Sequence, residues 1–402
     1  MRFTMVGNLS ISKATEKFTP YEVTEYDSGW VNRTLKFNAI CGDNRHLLTI
    51  RGGCFKDGHG SVYLYSKDKR DENGNRIKGE PFTIPFKDRL TSPKLADVAE
   101  FKKYVIDLEK PGRRQALESL SNKKGLTAED YNSVGLSAGD SLETALTASK
   151  KLRYEFVSEW DFADFMHKLI ASNKFTNTKF RIVGDIEYQY SESNDQFYSN
   201  YIPKRIYLAS EEAEPISTAT LQFLFNNNSL NDLSEQDDHK FYVNGYTFEY
   251  DRNRKENIPV PISITVPVPD KSDEEGYARA MYIKSKFTVE DEVYKELSID
   301  IDLLNGAQRT TLTEDMLSDE QKSDLKYGLI TMNDIRAEMG QVYGENIREF
   351  RFAKIARQSA KTGKQDTVYT PDDMKIKTDE AANDESADVE VNDDFDLFGG
   401  LI

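Results

Sequence analysis

Along the first 90 residues, short runs of β-branched and aromatic residues alternate with clusters of turn formers. Residues 33–40, 46–50, 61–65 and 81–86 are such runs, and the Gly-, Asp- and Asn-rich stretches 42–44, 56–58 and 71–75 separate them. This spacing predicts a small barrel or sandwich. From Ser92 the period changes. Ser92-Pro93 reads as an N-cap followed by a proline in the first turn, and Leu95, Val98, Phe101 and Val105 fall on one helical face. Residues 126–152 are rich in Ala, Ser and Gly and less periodic, so 92–150 reads as an insertion in the first domain. Residues 151–158 read as a returning strand and 161–172 as a helix leading to a second domain.

A second β-rich block starts at Lys179. Residues 180–190 and 197–208 form a hairpin across the turn at 191–196, and 218–225 follows. Residues 240–251 place an aromatic at nearly every other position. Residues 259–269 alternate proline with β-branched residues, which suits an edge strand. Residues 277–289 and 293–304 are read as the strands that close this block. Residues 312–362 take a helical character, with Thr313 and Thr331 placed as N-caps.

Composition changes the picture in three ways. The chain of 402 residues is long enough for two or three domains, yet only 38% of it is hydrophobic and 30% is charged, which fits a soluble protein with large loops. With two cysteines, Cys41 and Cys54, no disulfide framework is expected. The N-terminus lacks the apolar core of a signal peptide, so a cytoplasmic location is expected. Third, the net charge of −16 is unevenly spread: residues 379–402 hold nine acids and no Lys or Arg, so the body without them carries −7. Any polyanion site must therefore be a local basic face.

Candidate chemistry follows from residue types at shared faces. Tyr188 and Tyr190 lie two apart on one predicted strand, as do Tyr246, Phe248 and Tyr250 on another, and Tyr198 and Tyr201 lie nearby. Such rings stack nucleic-acid bases without a sequence code, while Lys204, Arg205, Arg252 and Arg254 are placed to follow phosphates. Alternating aromatics also serve as the core face of a sheet, the competing reading for each ring. Arg348, Arg351, Lys354 and Arg357 fall three residues apart, and a helix over this stretch would present one basic face. A zinc site from Cys41, His46, Cys54 and His59 is disfavoured, because a strand over 46–54 would hold its ends about 26 Å apart. Phosphate-binding loops, nucleophile elbows and metalloprotease motifs are missing, so no cofactor, metal or catalytic residue is assigned. Acid pairs such as Asp300/Asp302, which share a strand face, are the opening for a metal-dependent nuclease, although chance pairs are expected in so acidic a chain.

The chain ends in acids interleaved with aromatics: Asp393, Asp394, Phe395, Asp396, Leu397 and Phe398, then Gly-Gly-Leu-Ile. This tail resembles those of phage and bacterial single-stranded-DNA-binding proteins, most closely those of phage replication, although a terminal proline-phenylalanine pair is lacking. Together with the OB-fold that the resemblance implies, the pattern of elements gives a mainly β chain with helical insertions (α+β): tandem OB-like β-barrels, C-terminal helices and a disordered acidic tail. On that reading 1–160 is a first OB-like domain with its helical insertion at about 92–150, and 161–310 is a second. Residues 311–368 are helical and 369–402 form the tail. It further implies a non-enzymatic protein that coats single-stranded DNA in phage replication or recombination. The tail would recruit replication or recombination proteins, and the chain would be a monomer or small homo-oligomer. The alternative is an accessory protein acting mainly through protein contacts.

Overall fold

Hydrophobic alternation sets the first strand, β1 (Arg2–Ser10), where Phe3, Met5 and Leu9 point into the core and Arg2 points to solvent. The computed structural model describes residues 1–234, 239–309, 317–332, 334–335, 343–356 and 369–376. After β1 come β2 (Tyr21–Glu25), β3 (Trp30–Cys41) and β4 (Asn44–Phe55), with β3 and β4 joined by a tight turn at Gly42-Asp43. An excursion follows: β5 (Ser61–Tyr65), β6 (Lys69–Arg70), β7 (Arg76–Ile77), β8 (Pro81–Pro85) and β9 (Tyr104–Asp107). It continues through α1 (Arg113–Ser121), α2 (Ala128–Ser133), α3 (Leu142–Lys150) and β10 (Arg153–Phe156). The chain then enters α4 (Glu159–Ala171) and the hairpin of β11 (Lys179–Ser191) and β12 (Gln196–Leu208).

These strands close a ring. β1 pairs β3 and β11, β3 pairs β4, β11 pairs β12, and β12 returns to β4 through a parallel pairing at Tyr201 and Leu48. The cyclic order β1-β3-β4-β12-β11 is that of a five-stranded OB barrel. α4, between the third and fourth barrel strands, buries Phe162, Ala163 and Met166 in the core. Ser158 caps it by accepting from the Trp160 amide at 3.2 Å.

The same path is traced a second time by β13 (Ile216–Phe225), β14 (Leu230–Leu233), β15 (Lys240–Asp251), β16 (Glu256–Pro267), α5 (Glu274–Phe287), β17 (Lys295–Arg309), α6 (Asp319–Lys326) and β18 (Tyr343–Ile355). β13 pairs β17 and touches β15 at Leu224 and Tyr246, β15 pairs β16, β17 pairs β18, and β18 meets β16 in parallel. Again the helix, α5, lies between the third and fourth barrel strands. Its Phe287 sits among Phe223, Phe225 and Phe352, with ring centres 5.1–6.2 Å apart. Burying a ring of that size contributes about 1.5–3 kcal/mol. The chain is thus mainly β with helical insertions, built on two tandem OB barrels.

Strand pairing groups the elements differently from the division expected at 160/161. β11 and β12 complete the first barrel, and the second begins at β13. The excursion from β5 to β10 separates the third and fourth barrel strands in sequence, which hid their partnership. Residues 277–289 were expected as a strand and are largely α5, capped by Asp273, with Glu274 and Glu275 in its first turn and Lys284 and Lys286 in its last. Part of the expected C-terminal helical segment is β18, because Phe350 and Phe352 repeat at two-residue spacing and pack on the core. The helical expectation does hold at α6. Thr331 accepts from the Asp334 amide at 3.2 Å, as a cap does, and Thr313 lies outside the described residues.

The two barrels join through their first strands: Arg2–Val6 of β1 pairs antiparallel with Ile216–Thr220 of β13. The Met1 α-amino group makes an ion pair with Glu249 of β15. His46 of β4 is buried at this junction, where its Nε2 lies 2.8 Å from the Ser217 hydroxyl. Burial drives the His46 pKa down to about 4, and the positive charge of Arg348 adds to that effect, against a backbone hydrogen bond at Leu303. Among the described residues no helix is long and apolar enough to cross a membrane.

Two outcomes follow. His46 stays neutral in the folded chain but takes a proton near its ordinary pKa when unfolded, so its contribution is full above pH 6.5 and is lost as pH falls toward 4. Between pH 7 and pH 5, denaturant titration should show wild type losing about 2 kcal/mol more stability than His46→Gln. Gly245 lies where the second barrel closes, and a Cβ there would fall 2.2 Å from the Leu224 carbonyl oxygen and 2.6 Å from the Phe223 ring. Gly245→Ala should cost about 1–3 kcal/mol in urea unfolding.

Candidate nucleic-acid interface

In each barrel the second and third strands form a hairpin whose outer side faces solvent, the side on which OB barrels bind oligonucleotides. On β15 the inner positions hold Phe241, Val243, Gly245 and Thr247, all buried. The outer positions hold Tyr242, Tyr246, Phe248 and Tyr250, in register with Thr265, Pro261, Pro259 and Asn257 of β16. Strand alternation alone produces this division. Tyr250 is 53% exposed, whereas Tyr246 leans edge-on against Tyr294 at 5.7 Å. Phe248 meets Tyr369 at 5.0 Å, and the Tyr294 amide donates to the Tyr369 carbonyl at 2.9 Å. The segment 369–376, ahead of the acidic tail, is therefore seated beside the aromatic row, with Met374 buried.

The matching face of the first barrel has different chemistry. Outer positions of β3 bring Thr34, Lys36, Asn38 and Ile40 opposite Arg51, Thr49, Leu47 and Arg45 of β4. Three cations thus stand among small and apolar side chains, and at the open end of the hairpin Trp30 meets Phe55 edge-on at 5.1 Å. Lys36, Arg45 and Arg51 were absent from the sequence-derived set because they are dispersed in sequence and gather only when β3 and β4 pair.

Other expected site residues go elsewhere. Tyr188 is 6% exposed, belongs to the core, and its hydroxyl pKa is raised by burial. Tyr201 packs edge-on against Phe3, and burial pushes its pKa up to about 12. Tyr190 packs on Phe197 and donates its hydroxyl to Asp195 at 2.7 Å, near the turn where Tyr198 remains exposed. Arg252 pairs with Glu187 at 2.6 Å, and Arg254 pairs with Glu192 and Glu256. These two arginines tie the β15–β16 turn to β11 and its turn, and so join the barrels. Lys204 pairs with Asp185, and Arg205 donates to the Glu100 carbonyl at 3.0 Å.

The basic set on β18 is split. In a strand Arg348 and Arg351 point to opposite faces, and the register with β17 then skips Ala353, which returns Lys354 to the side of Arg351. Arg351 pairs with Glu349, and Lys354 lies 3.7 Å from Asp300. A continuous basic helix face is therefore not formed. Arg357 lies outside the described residues, as do the tail residues Asp393, Asp394, Phe395, Asp396, Leu397 and Phe398. Asp300 and Asp302 share a face of β17, with Asp300 accepting from Thr220 at 2.6 Å and Asp302 in register with Arg351. Among the described residues no three His, Cys, Asp or Glu side chains converge as a metal site.

No family model and no curated protein matches the chain. Among solved structures it is similar to the wild-type single-stranded DNA binding protein from Thermus aquaticus, at 8% identity and a TM-score of 0.26. That match covers 80% of this chain and 97% of the other. A deletion mutant of the same protein matches at 7% identity and a TM-score of 0.26, over 79% and 97% of the two chains.

Proposed function

We propose that this chain binds single-stranded DNA with little sequence preference across the outer hairpin faces of its two barrels. The observation that carries this reading is the row Tyr242, Tyr246, Phe248 and Tyr250, four aromatic side chains on the solvent side of a strand whose inner side already fills the core. Each base stacked on such a ring contributes about 1–3 kcal/mol without a hydrogen-bond code. The cations Lys36, Arg45 and Arg51 on the first barrel supply the phosphate attraction that the rings lack. The protein acts as a coat and carries out no chemistry on the strand. Its setting is DNA replication or recombination, in a phage-infected bacterium.

The tail residues 393–398 serve as a short recruiting motif for replication proteins, and the nine acids of 379–402 compete with DNA for the basic face. Support for the competition comes from the contact of Tyr369 with Phe248, a residue of the aromatic row met ten positions before the first of those acids in the sequence.

Anisotropy of labelled oligo-dT across a salt series tests the reading. Wild type should bind and weaken with salt, and Tyr250→Ala should lose about tenfold or more at fixed salt. Lys36→Ala combined with Arg45→Ala should lower the slope of log affinity against log salt by about 0.7 for each phosphate no longer neutralised. A chain ending at residue 378 should bind more tightly at low salt. Failure of full-length and shortened chains alike to bind oligo-dT would transfer the weight to the protein-interaction alternative.

A further inference from the structure

The excursion between β4 and α4 does more than lengthen the chain. β5 and β8 form a two-stranded ribbon whose inner side, Val62, Leu64, Phe82 and Ile84, packs on Val98 and Val157. Because side chains alternate, Tyr63 and Tyr65 stand on the outer side, opposite Thr83 and Pro81. The short helical turn Glu100–Lys102 places Phe101 next in line. Ring centres are 5.6 Å apart for Tyr63 and Tyr65 and 6.0 Å for Tyr65 and Phe101. The row is open to solvent: Tyr63 is 55% exposed and Phe101 is 65% exposed, although apolar rings this large usually find cover.

Positive charge accompanies the rings. The Lys102 ammonium lies 5.2 Å from the Tyr65 ring centre and 6.0 Å from that of Phe101. Phe101 also borders a cavity of about 290 Å³ whose walls include Arg2, Lys103, Lys204 and Arg205. Lys103 and Lys204 pair with carboxylates and Arg205 donates to a carbonyl, whereas Arg2 is exposed and has no ion pair among the described residues. Residues 61–103 hold ten Lys or Arg against seven Asp or Glu, a local surplus in a chain of net charge −16.

We propose that Tyr63, Tyr65 and Phe101, with Lys102 and the Arg2 cavity, form a second stacking platform that extends the single-stranded nucleic-acid track beyond the barrels. This rests on the proposed function. Flat apolar faces beside cations fit a ligand with flat rings on a polyanionic backbone, and the charge surplus disfavours an acid-poor apolar protein surface as the occupant. A track confined to the barrels leaves these exposed rings without a role.

The test compares wild type with the double variant Tyr63→Ala/Phe101→Ala, full chain, on oligo-dT of about 16 and about 60 nucleotides, lengths set against one OB barrel and more than two. Both substitutions are at exposed positions, and unchanged thermal unfolding confirms that the fold is kept. The proposal expects the long oligonucleotide to bind about tenfold more weakly or worse and the short one within about twofold of wild type. Tyr63→Trp/Phe101→Trp should keep wild-type affinity for both lengths. Wild-type affinity of the Ala variant for both lengths overturns the platform and leaves the barrel reading intact, and equal loss on both also overturns it. Failure of wild type to bind either length removes the proposed function and the platform together.

Discussion

The two barrels are fused by five residue pairs, Arg2 to Val6 of β1 against Ile216 to Thr220 of β13. Each strand is the first of its barrel and already serves two neighbours within it, so their pairing fuses two closed rings along a shared seam. The seam buries the chain's first amino group against Glu249 and His46 against Ser217. It also makes one continuous hydrophobic core, from Phe3 and Phe37 on one side to Phe241 and Phe287 on the other. Asn305 of β17 reinforces it from the second barrel: its amide donates to the Asn44 side chain at 2.9 Å and its side chain to the Arg45 carbonyl at 2.6 Å. The pairing of β1 with β13 uses neither outer hairpin face; on the second barrel Tyr369 packs on Phe248 while Tyr250 stays exposed.

The use of charge explains how an acidic protein presents a site for a polyanion. Many cations near the barrels are committed to structure: Arg252 and Arg254 bridge the barrels, Arg89 grips Asp161 of α4, and Arg114 and Arg153 brace the excursion around Asp107. A basic residue close in sequence to an aromatic one is thus a poor guide to binding. The outer row of β15, nearly free of charge, and the outer face of β3–β4, with its three cations, divide stacking from phosphate attraction.

That division bears on what the sequence disclosed. The mainly β class, the hairpin of β11 and β12, and the aromatic strand β15 were legible, because a two-residue period in apolar side chains reports directly on a half-buried strand. The grouping of strands into barrels was not, since the excursion from β5 to β10 carries no marker that β4 will rejoin β12. α5 was missed although its cap and terminal charges were present, because Tyr277, Tyr282, Ile283 and Phe287 are strand-favouring residue types. In β18 the three-residue spacing of Arg348, Arg351 and Lys354 imitated a helix, while Phe350 and Phe352 carried the true period. Of the expected rings, Tyr246 and Tyr250 lie on an outer face and Tyr188 lies in the core. Sequence period alone does not say which side of a strand is inside.

Photo-crosslinking tests the central claim most directly. Oligo-dT carrying 5-iodouracil is bound to the full chain, irradiated, and the adducts are located by peptide mass spectrometry. The account predicts adducts at the outer rings of β15, with Tyr250 foremost. Adducts confined to other surfaces, with the outer positions of β15 unmodified in a complex that has formed, would contradict it.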